Sequence, residues 1–496
     1  MGPLSLITFI PLLGAIVILF IPKEKETAVK VVALVATGIC LLIAAQLYVG
    51  FDNSKPGAPD PAGMQFVEGP YPWIPSFNIS YYMGLDGLSL PMVLLTALLC
   101  FICIVASWNI KQSLRGYFSL FLLLDTGMQG VFCSLDFFLF YIFWEIMLLP
   151  MYFLIGIWGS QEDRREYSAI KFFLYTLVGS VLLLLAMLAF YFATTPHTFN
   201  MLTIMQQAGT FSRTFQTYIY LAMFIGFAIK VPIFPFHTWL PDAHVAAPTA
   251  VSVILAGVLL KMGTYGLFRF NFPMTPEASQ YFGWMLAVLG AVNIIYGALC
   301  AMAQSDLKKL VAYSSISHMG ISLLGMAALT PRGMVGSLMQ MFNHGTITAM
   351  MFLLVGVVYD RVHHRQIDNF GGLRTKVPIY AGIFSLAFFA ALGLPGLSGF
   401  IGEALCFIGA FPVYRTITII SLTGVVLTAG YVLWMLQRVL LGPLNPRYED
   451  LPEISGREVF TLAPLGAIVV VLGIWPAPLL NLMTSSMNNL ARIFAP

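Results

Sequence analysis

Stretches of about twenty apolar residues, almost free of charge, follow one another along nearly the whole chain, and that is the length an α-helix needs to cross a bilayer. Of the 496 residues 59% are apolar and only 9% charged, against about 25% charged in a soluble domain. So few ionisable groups cannot cover a water-facing surface, which makes the chain an all-α polytopic membrane protein. The net charge of +3 offers no basic footprint for nucleic acid. Soluble catalysis and secreted disulfide scaffolds are excluded as well. Cys40, Cys100, Cys103, Cys133, Cys300 and Cys406 lie in or beside apolar runs. Even the C-x-x-C pair Cys100 and Cys103 reads as small buried hydrophobes rather than a metal or redox site.

The apolar runs predict fourteen spans: 4–21, 28–50, 84–108, 114–133, 135–158, 167–193, 215–240, 246–269, 281–303, 309–329, 333–359, 378–410, 414–440 and 459–480. Lys23, Lys25 and Lys30 follow the first run instead of preceding it, so it reads as a span and not as a cleavable signal. With Lys230 and Lys261 set aside as intramembrane, 17 of the lysines and arginines fall on one side of the predicted spans and 6 on the other. The positive-inside rule then puts both termini outside the cytoplasm, on the periplasmic side of a bacterial inner membrane. The 51–79 segment reads as an external loop, and 197–213 as a short surface helix or loop.

Two spans are interrupted. The seventh contains Lys230-Val-Pro-Ile-Phe-Pro235 and the twelfth Gly393-Leu-Pro-Gly-Leu-Ser-Gly399, so both helices should break within the membrane. An offset of five spans is odd and predicts inverted repeats, spans 4–8 against 9–13, with the working site near the midplane. The predicted parts are therefore 1–113, 114–269, 281–442 and 443–496.

Each ionisable group at membrane depth costs at least about 2.5–3.5 kcal/mol and asks for a reason. Six stand on six different spans: Glu145, Lys230, Lys261, His318, His344 and Glu403. Any single pair could be a static tie between helices, and a lone histidine a packing residue. A series of groups at similar depth, joined to two broken helices, is what proton translocation requires. His237 and His244 flank Thr238-Trp-Leu-Pro-Asp-Ala243. Their spacing admits a metal ligand pair, but no cysteine or paired carboxylate completes it. His237 could instead serve as a proton entry or a hydrogen-bonded helix end. Asp86 reads as a cap for the third span. His363 and His364, beside Arg361 and Arg365, read as a solvated or subunit-facing patch. No phosphate loop, haem motif or catalytic triad pattern is present.

The run Lys230-Val-Pro-Ile-Phe-Pro-Phe-His-Thr-Trp-Leu-Pro-Asp-Ala-His244 closely resembles the signature of the antiporter-like subunits of respiratory complex I, NADH–quinone oxidoreductase. So do Leu255-Ala-Gly-Val-Leu-Leu-Lys-Met-Gly263, Asp306-Leu-Lys-Lys-Leu-Val-Ala-Tyr-Ser-Ser-Ile-Ser-His-Met-Gly320 and Gly393-Leu-Pro-Gly-Leu-Ser-Gly-Phe-Ile-Gly-Glu403. Glu403 matches the branch of the family with glutamate in broken span twelve, where the N-type and L-type subunits have lysine. The L-type branch also has a long lateral helix, for which the residues after span fourteen leave no room.

The resemblance implies that Glu145 and Lys230 are the paired groups of an input half-channel. Lys261 would be the central lysine, His318 and His344 would continue the polar axis, and Glu403 would be the output group. It implies no cofactor and no redox chemistry in this chain, with NADH, FMN, iron–sulfur clusters and quinone in partner subunits, the N-type and L-type paralogues among them. The expected activity is transfer of one proton per cycle from the cytoplasm outward, driven by quinone reduction elsewhere. Two rivals remain at this point: a subunit of a multi-subunit cation/proton antiporter or membrane-bound hydrogenase, and an inert membrane scaffold.

Overall fold

The computed structural model describes residues 2–495. Among these, eleven helices are long and apolar enough to cross a membrane. In chain order the elements are α1 Pro3–Phe20, α2 Glu26–Val49, strands β1 Gln65–Ile74 and β2 Ile79–Leu85, α3 Ser89–Ala106 and α4 Leu114–Cys133. Next come α5 Phe137–Trp158, α6 Arg165–Ala193, the short α7 Met201–Gln206, α8 Arg213–Lys230, α9 Trp239–Ala246 and α10 Thr249–Met274. The chain continues through α11 Pro276–Met302, α12 Leu307–Ala327, α13 Pro331–Val362, α14 Pro378–Ala391, α15 Ser398–Ala410, α16 Arg415–Leu440, α17 Gly456–Ile474 and α18 Ala477–Arg492.

Both interruptions are real breaks. α8 stops at Lys230, two residues before Pro232, and helix resumes only at Trp239. α14 stops at Ala391 and α15 starts at Ser398, with Gly393 at φ +78° and Gly396 at φ +93° between them. L-residues rarely adopt such backbone, so glycine is what lets the chain turn there.

Several boundaries differ from expectation. The 51–79 segment is not wholly a loop, because β1 and β2 pair antiparallel, with Gln65 opposite Leu85 and Tyr71 opposite Tyr81. The third helix therefore begins at Ser89 and not at 84. α7 occupies part of 197–213, with Met201 and Leu202 buried. α10, the eighth predicted span, runs on to Met274, so Arg269, the last residue of that span and one of the 6 counted for the outer side, lies well inside the helix and is 2% exposed. α17 spans Gly456–Ile474, short of the predicted end at 480, and a further helix, α18, follows that the fourteen predicted spans did not include.

The chain packs as two compact units. Residues 2–232, 258–283 and 481–495 form the first, and 233–257 with 284–480 the second. One small device occurs in each. In the first unit Asp136 caps α5 by accepting from Phe138 N (2.9 Å) and Leu139 N (3.2 Å), and it is bridged to Asn200. In the second, Asp306 caps α12 by accepting from Lys308 N (2.7 Å) and Lys309 N (3.0 Å), and it is bridged to Gln366.

Candidate functional site

In the first unit Lys230 is the last residue of α8, 3% exposed, and is placed there because the following proline ends the helix. Its ammonium lies 5.3 Å from the centre of the Trp144 ring and 5.6 Å from that of Phe172, within cation–π range. The Trp144 indole N–H donates to Ser180 Oγ at 3.1 Å, which fixes the ring. Glu145, the next residue on α5, acts electrostatically on Lys230. Yet no ion pair of 4.0 Å or less joins the two among the described residues, and Glu145 Oε1 is buried without a hydrogen-bond partner.

Lys261 is wholly buried in α10. That helix is not regular: π-turns at Leu255–Leu259 and Leu267–Asn271 flank the segment that carries the lysine. Such turns are rare and cluster at functional positions. Gly263 lets this segment press against α8, since a Cβ there would lie 2.6 Å from Val231 Cγ2 and 2.8 Å from the Phe227 carbonyl.

In the second unit three of the expected residues come together. His318 Nδ1 and Glu403 Oε1 are 3.1 Å apart, with both side chains buried. Gln340 donates to the same oxygen at 3.4 Å, and the His344 ring centre is 5.9 Å from that of His318. His318 Nε2 has no partner, so the ring has one nitrogen engaged and one open. Glu403 depends on the helix break, for its Oε2 would lie 2.7 Å from a Cβ at Gly393. Asn343 donates to the Ser398 carbonyl at 2.6 Å, which ties α13 to the start of α15. His237 faces Tyr296, with Nε2 and Oη 3.2 Å apart, and His244 is wholly buried and stacked on Phe352.

The basic stretch at the end of α13 is less open than expected. Arg361 makes a bidentate pair with Glu458 at 2.8 and 2.7 Å, and Arg365 pairs with Asp306 at 3.0 Å. His364 meets Tyr448 Oη at 2.6 Å, and burial together with the Arg447 charge pushes its pKa down.

Reasoning from sequence missed one buried ion pair. Arg269 donates Nη1 to Asp86 Oδ2 at 2.8 Å and Nη2 to Oδ1 at 2.6 Å. It also reaches Ser89 Oγ at 2.8 Å and Tyr265 Oη at 3.1 Å. Asp86 caps α3 as expected, accepting from Leu88 N and Ser89 N at 3.1 Å each, and takes a further bond from Ala58 N at 3.2 Å. Burial pushes its carboxyl up, but the Arg269 charge and these hydrogen bonds outweigh that and hold it below the ordinary carboxylate range. An arginine inside an otherwise apolar helix was the available signal.

Residues 134–428 match the family model "NADH:quinone oxidoreductase/Mrp antiporter, TM", and 68–134 match "NADH-ubiquinone oxidoreductase chain 4, amino terminus". The chain is 42% identical to NADH-quinone oxidoreductase subunit M of Rhodobacter capsulatus, over 99% of this chain and 96% of that one. Its fold is similar to a chain of respiratory complex I from Thermus thermophilus, with TM-score 0.89, 27% identity, and 99% and 100% of the two chains covered. It also resembles a chain of the Mrp complex from Dietzia sp., with TM-score 0.84 and 99% and 98% covered, where 22% identity speaks for the fold alone.

Proposed function

Since the chain belongs to the NADH:quinone oxidoreductase/Mrp antiporter membrane-subunit family, we propose that it carries protons across the membrane as a membrane-arm subunit of a proton-translocating NADH–quinone oxidoreductase. Glu145, Lys230, Lys261, His318, His344 and Glu403 are the groups that hold the proton in turn, with His237 as an entry point. The observation that carries this reading is the state of Glu145 and Lys230. Lys230 is buried and Glu145 half-buried with its Oε1 shielded, and the two are electrostatically coupled but not bonded. Were they only a tie between helices, leaving them apart would forfeit the stabilisation and keep the desolvation cost.

The step is electrostatic. When the carboxylate approaches, it favours the charged lysine; when it withdraws, the ammonium is left with only aromatic faces and its proton is released toward Lys261. Moving one charge against 100 mV costs about 2.3 kcal/mol, within the range of making and breaking one partly buried pair. In the second unit His318, with one nitrogen bonded to Glu403 and the other open, is suited to take a proton on one side and give it up on the other.

The matching devices of Asp136 with Asn200 and Asp306 with Gln366 support two inverted five-span repeats, 4–8 and 9–13, within fourteen spans. They likewise support a division into 1–113, 114–269, 281–442 and 443–496. Both termini then face the periplasm. NADH, FMN, iron–sulfur clusters and quinone belong to partner subunits, and the N-type and L-type paralogues are neighbours in the membrane. The test is proton uptake by vesicles containing the whole complex. Glu145→Gln and Lys230→Met should each cut pumping while the complex stays assembled; normal pumping in both would overturn the reading.

A further inference from the structure

A fully buried carboxylate lies outside the groups used above. Asp125 sits in α4, wholly unexposed, with both carboxyl oxygens lacking a hydrogen bond of normal geometry. One turn on, Gln129 is equally buried, and its amide is turned toward the Asp125 carboxyl without a hydrogen bond of normal geometry. Another turn on stands Cys133, so positions i, i+4 and i+8 make one polar stripe on an apolar helix, about 12 Å long at 1.5 Å per residue.

The surroundings of the stripe are known at both ends. Asp125 acts electrostatically on Cys100 of α3 and Cys40 of α2, and no lysine, arginine or histidine is among its own electrostatic partners among the described residues. Cys133 interacts with Thr8 of α1, whose hydroxyl is buried and otherwise without a partner, and it feels the charge of Glu68. Glu68, on β1, accepts from Gly2 N at 3.2 Å, Leu4 N at 2.6 Å, Ser5 N at 3.1 Å and the Ser5 hydroxyl, which also meets Tyr81 Oη at 2.5 Å. The stripe thus runs from the middle of α4 to the face that carries the β-hairpin.

An anionic carboxylate at this depth, with no cation beside it and only the Cys100 thiol and the Gln129 amide turned toward it, carries a heavy desolvation cost, whereas a neutral carboxyl does not. We propose that Asp125 is a proton-holding side branch in the α1–α4 bundle, which exchanges its proton with the hairpin face along Gln129, Cys133 and Thr8. In the outward step the carboxyl O–H breaks and the proton passes as hydronium through water held by these groups. A second proton enters the other carboxyl oxygen from the same water as the first leaves, so Asp125 is never left charged. Glu68, whose acceptor positions are filled by Gly2 N, Leu4 N, Ser5 N and the Ser5 hydroxyl, anchors the far end of the line and does not take the proton. Small buried polar clefts with two or more partners per water are where ordered water is found.

The experiment is infrared spectroscopy of the intact complex in lipid, transferred from H2O to D2O. The wild type should show a protonated-carboxyl C=O stretch that is absent in Asp125→Asn and that shifts on deuteration. Gln129→Met keeps Asp125 but severs the line, so the band should remain and its deuterium shift should slow at least tenfold. A spectrum unchanged by Asp125→Asn would overturn the proposal, as would a wild-type band that never exchanges or an equal exchange rate in Gln129→Met. Should Asp125→Asn fail to assemble, the Gln129→Met comparison decides alone. Neither outcome bears on the six-group relay, which is tested by pumping in Glu145→Gln.

Discussion

Asp86 and Arg269 close on each other at 2.6 and 2.8 Å, with three backbone N–H groups completing the carboxylate, whereas Glu145 and Lys230, in the same unit, remain unbonded. Three of these four groups are buried and Glu145 is half-buried with one oxygen shielded, so burial alone does not explain why one pair closes and the other does not. Saturation does. A carboxylate with every acceptor position filled has one stable arrangement and serves to hold the chain. One with an open oxygen can be re-paired at small cost, and only such a group can switch. His318 and Glu403 stand between these extremes, bonded on one side and open on the other.

That contrast can be broken in four places. Asp86→Asn leaves the Arg269 charge buried without its counter-ion and should cost about 3–5 kcal/mol, read as a lower melting temperature or lost assembly, while any assembled complex pumps normally. The same pair makes a pH prediction. Its folded pKa is depressed, so its stabilisation is fully present above the ordinary carboxylate value of about 3.9 and is lost as pH falls through the lower folded value. Acid titration of the Asp86→Asn variant should lack that component. Glu145→Gln should instead leave the melting temperature nearly unchanged and slow pumping about ten- to a hundredfold, equivalent to about 1.4–2.7 kcal/mol on the barrier.

Gly393→Ala tests the intermediate case. A side chain at φ +78° costs of order 1 kcal/mol or more, and its Cβ would push Glu403 away from His318. Both stability and pumping should fall. Trp144→Leu, which removes one of the two aromatic faces over Lys230, should have the smallest effect: about 0.5–1 kcal/mol, seen as a few-fold slower pumping in otherwise stable complex. Equal losses of stability in Asp86→Asn and Glu145→Gln would erase the distinction between the two kinds of pair.

Much of this was legible in the residues. Helix-length apolar runs fix the elements, and Pro232, Pro235 and Gly393 fix the breaks, because both effects are local. The β-hairpin was not legible, since Gly69, Pro70 and Pro72 give β1 the composition of a loop and its pairing comes from contact with β2. Arg269 was misplaced because a span cut at about twenty residues ends just there, and its partner Asp86 lies 183 positions away. The π-turns around Lys261 leave no mark in composition. Asp125 is different. It stands in a predicted span and was open to the same question asked of Glu145, but its partners on α2 and α3 become visible only in the folded bundle.

The α18 helix has a consequence for biogenesis. Gly87 N donates to Ser486 Oγ at 2.9 Å, and the Asn489 amide reaches the carbonyls of Gly57 and Ala58 at 3.4 and 3.1 Å. The turn that presents Asp86 is therefore sealed by residues translated some four hundred codons after it. Until the ribosome has delivered them, the early helices sit in the bilayer with that corner unlatched.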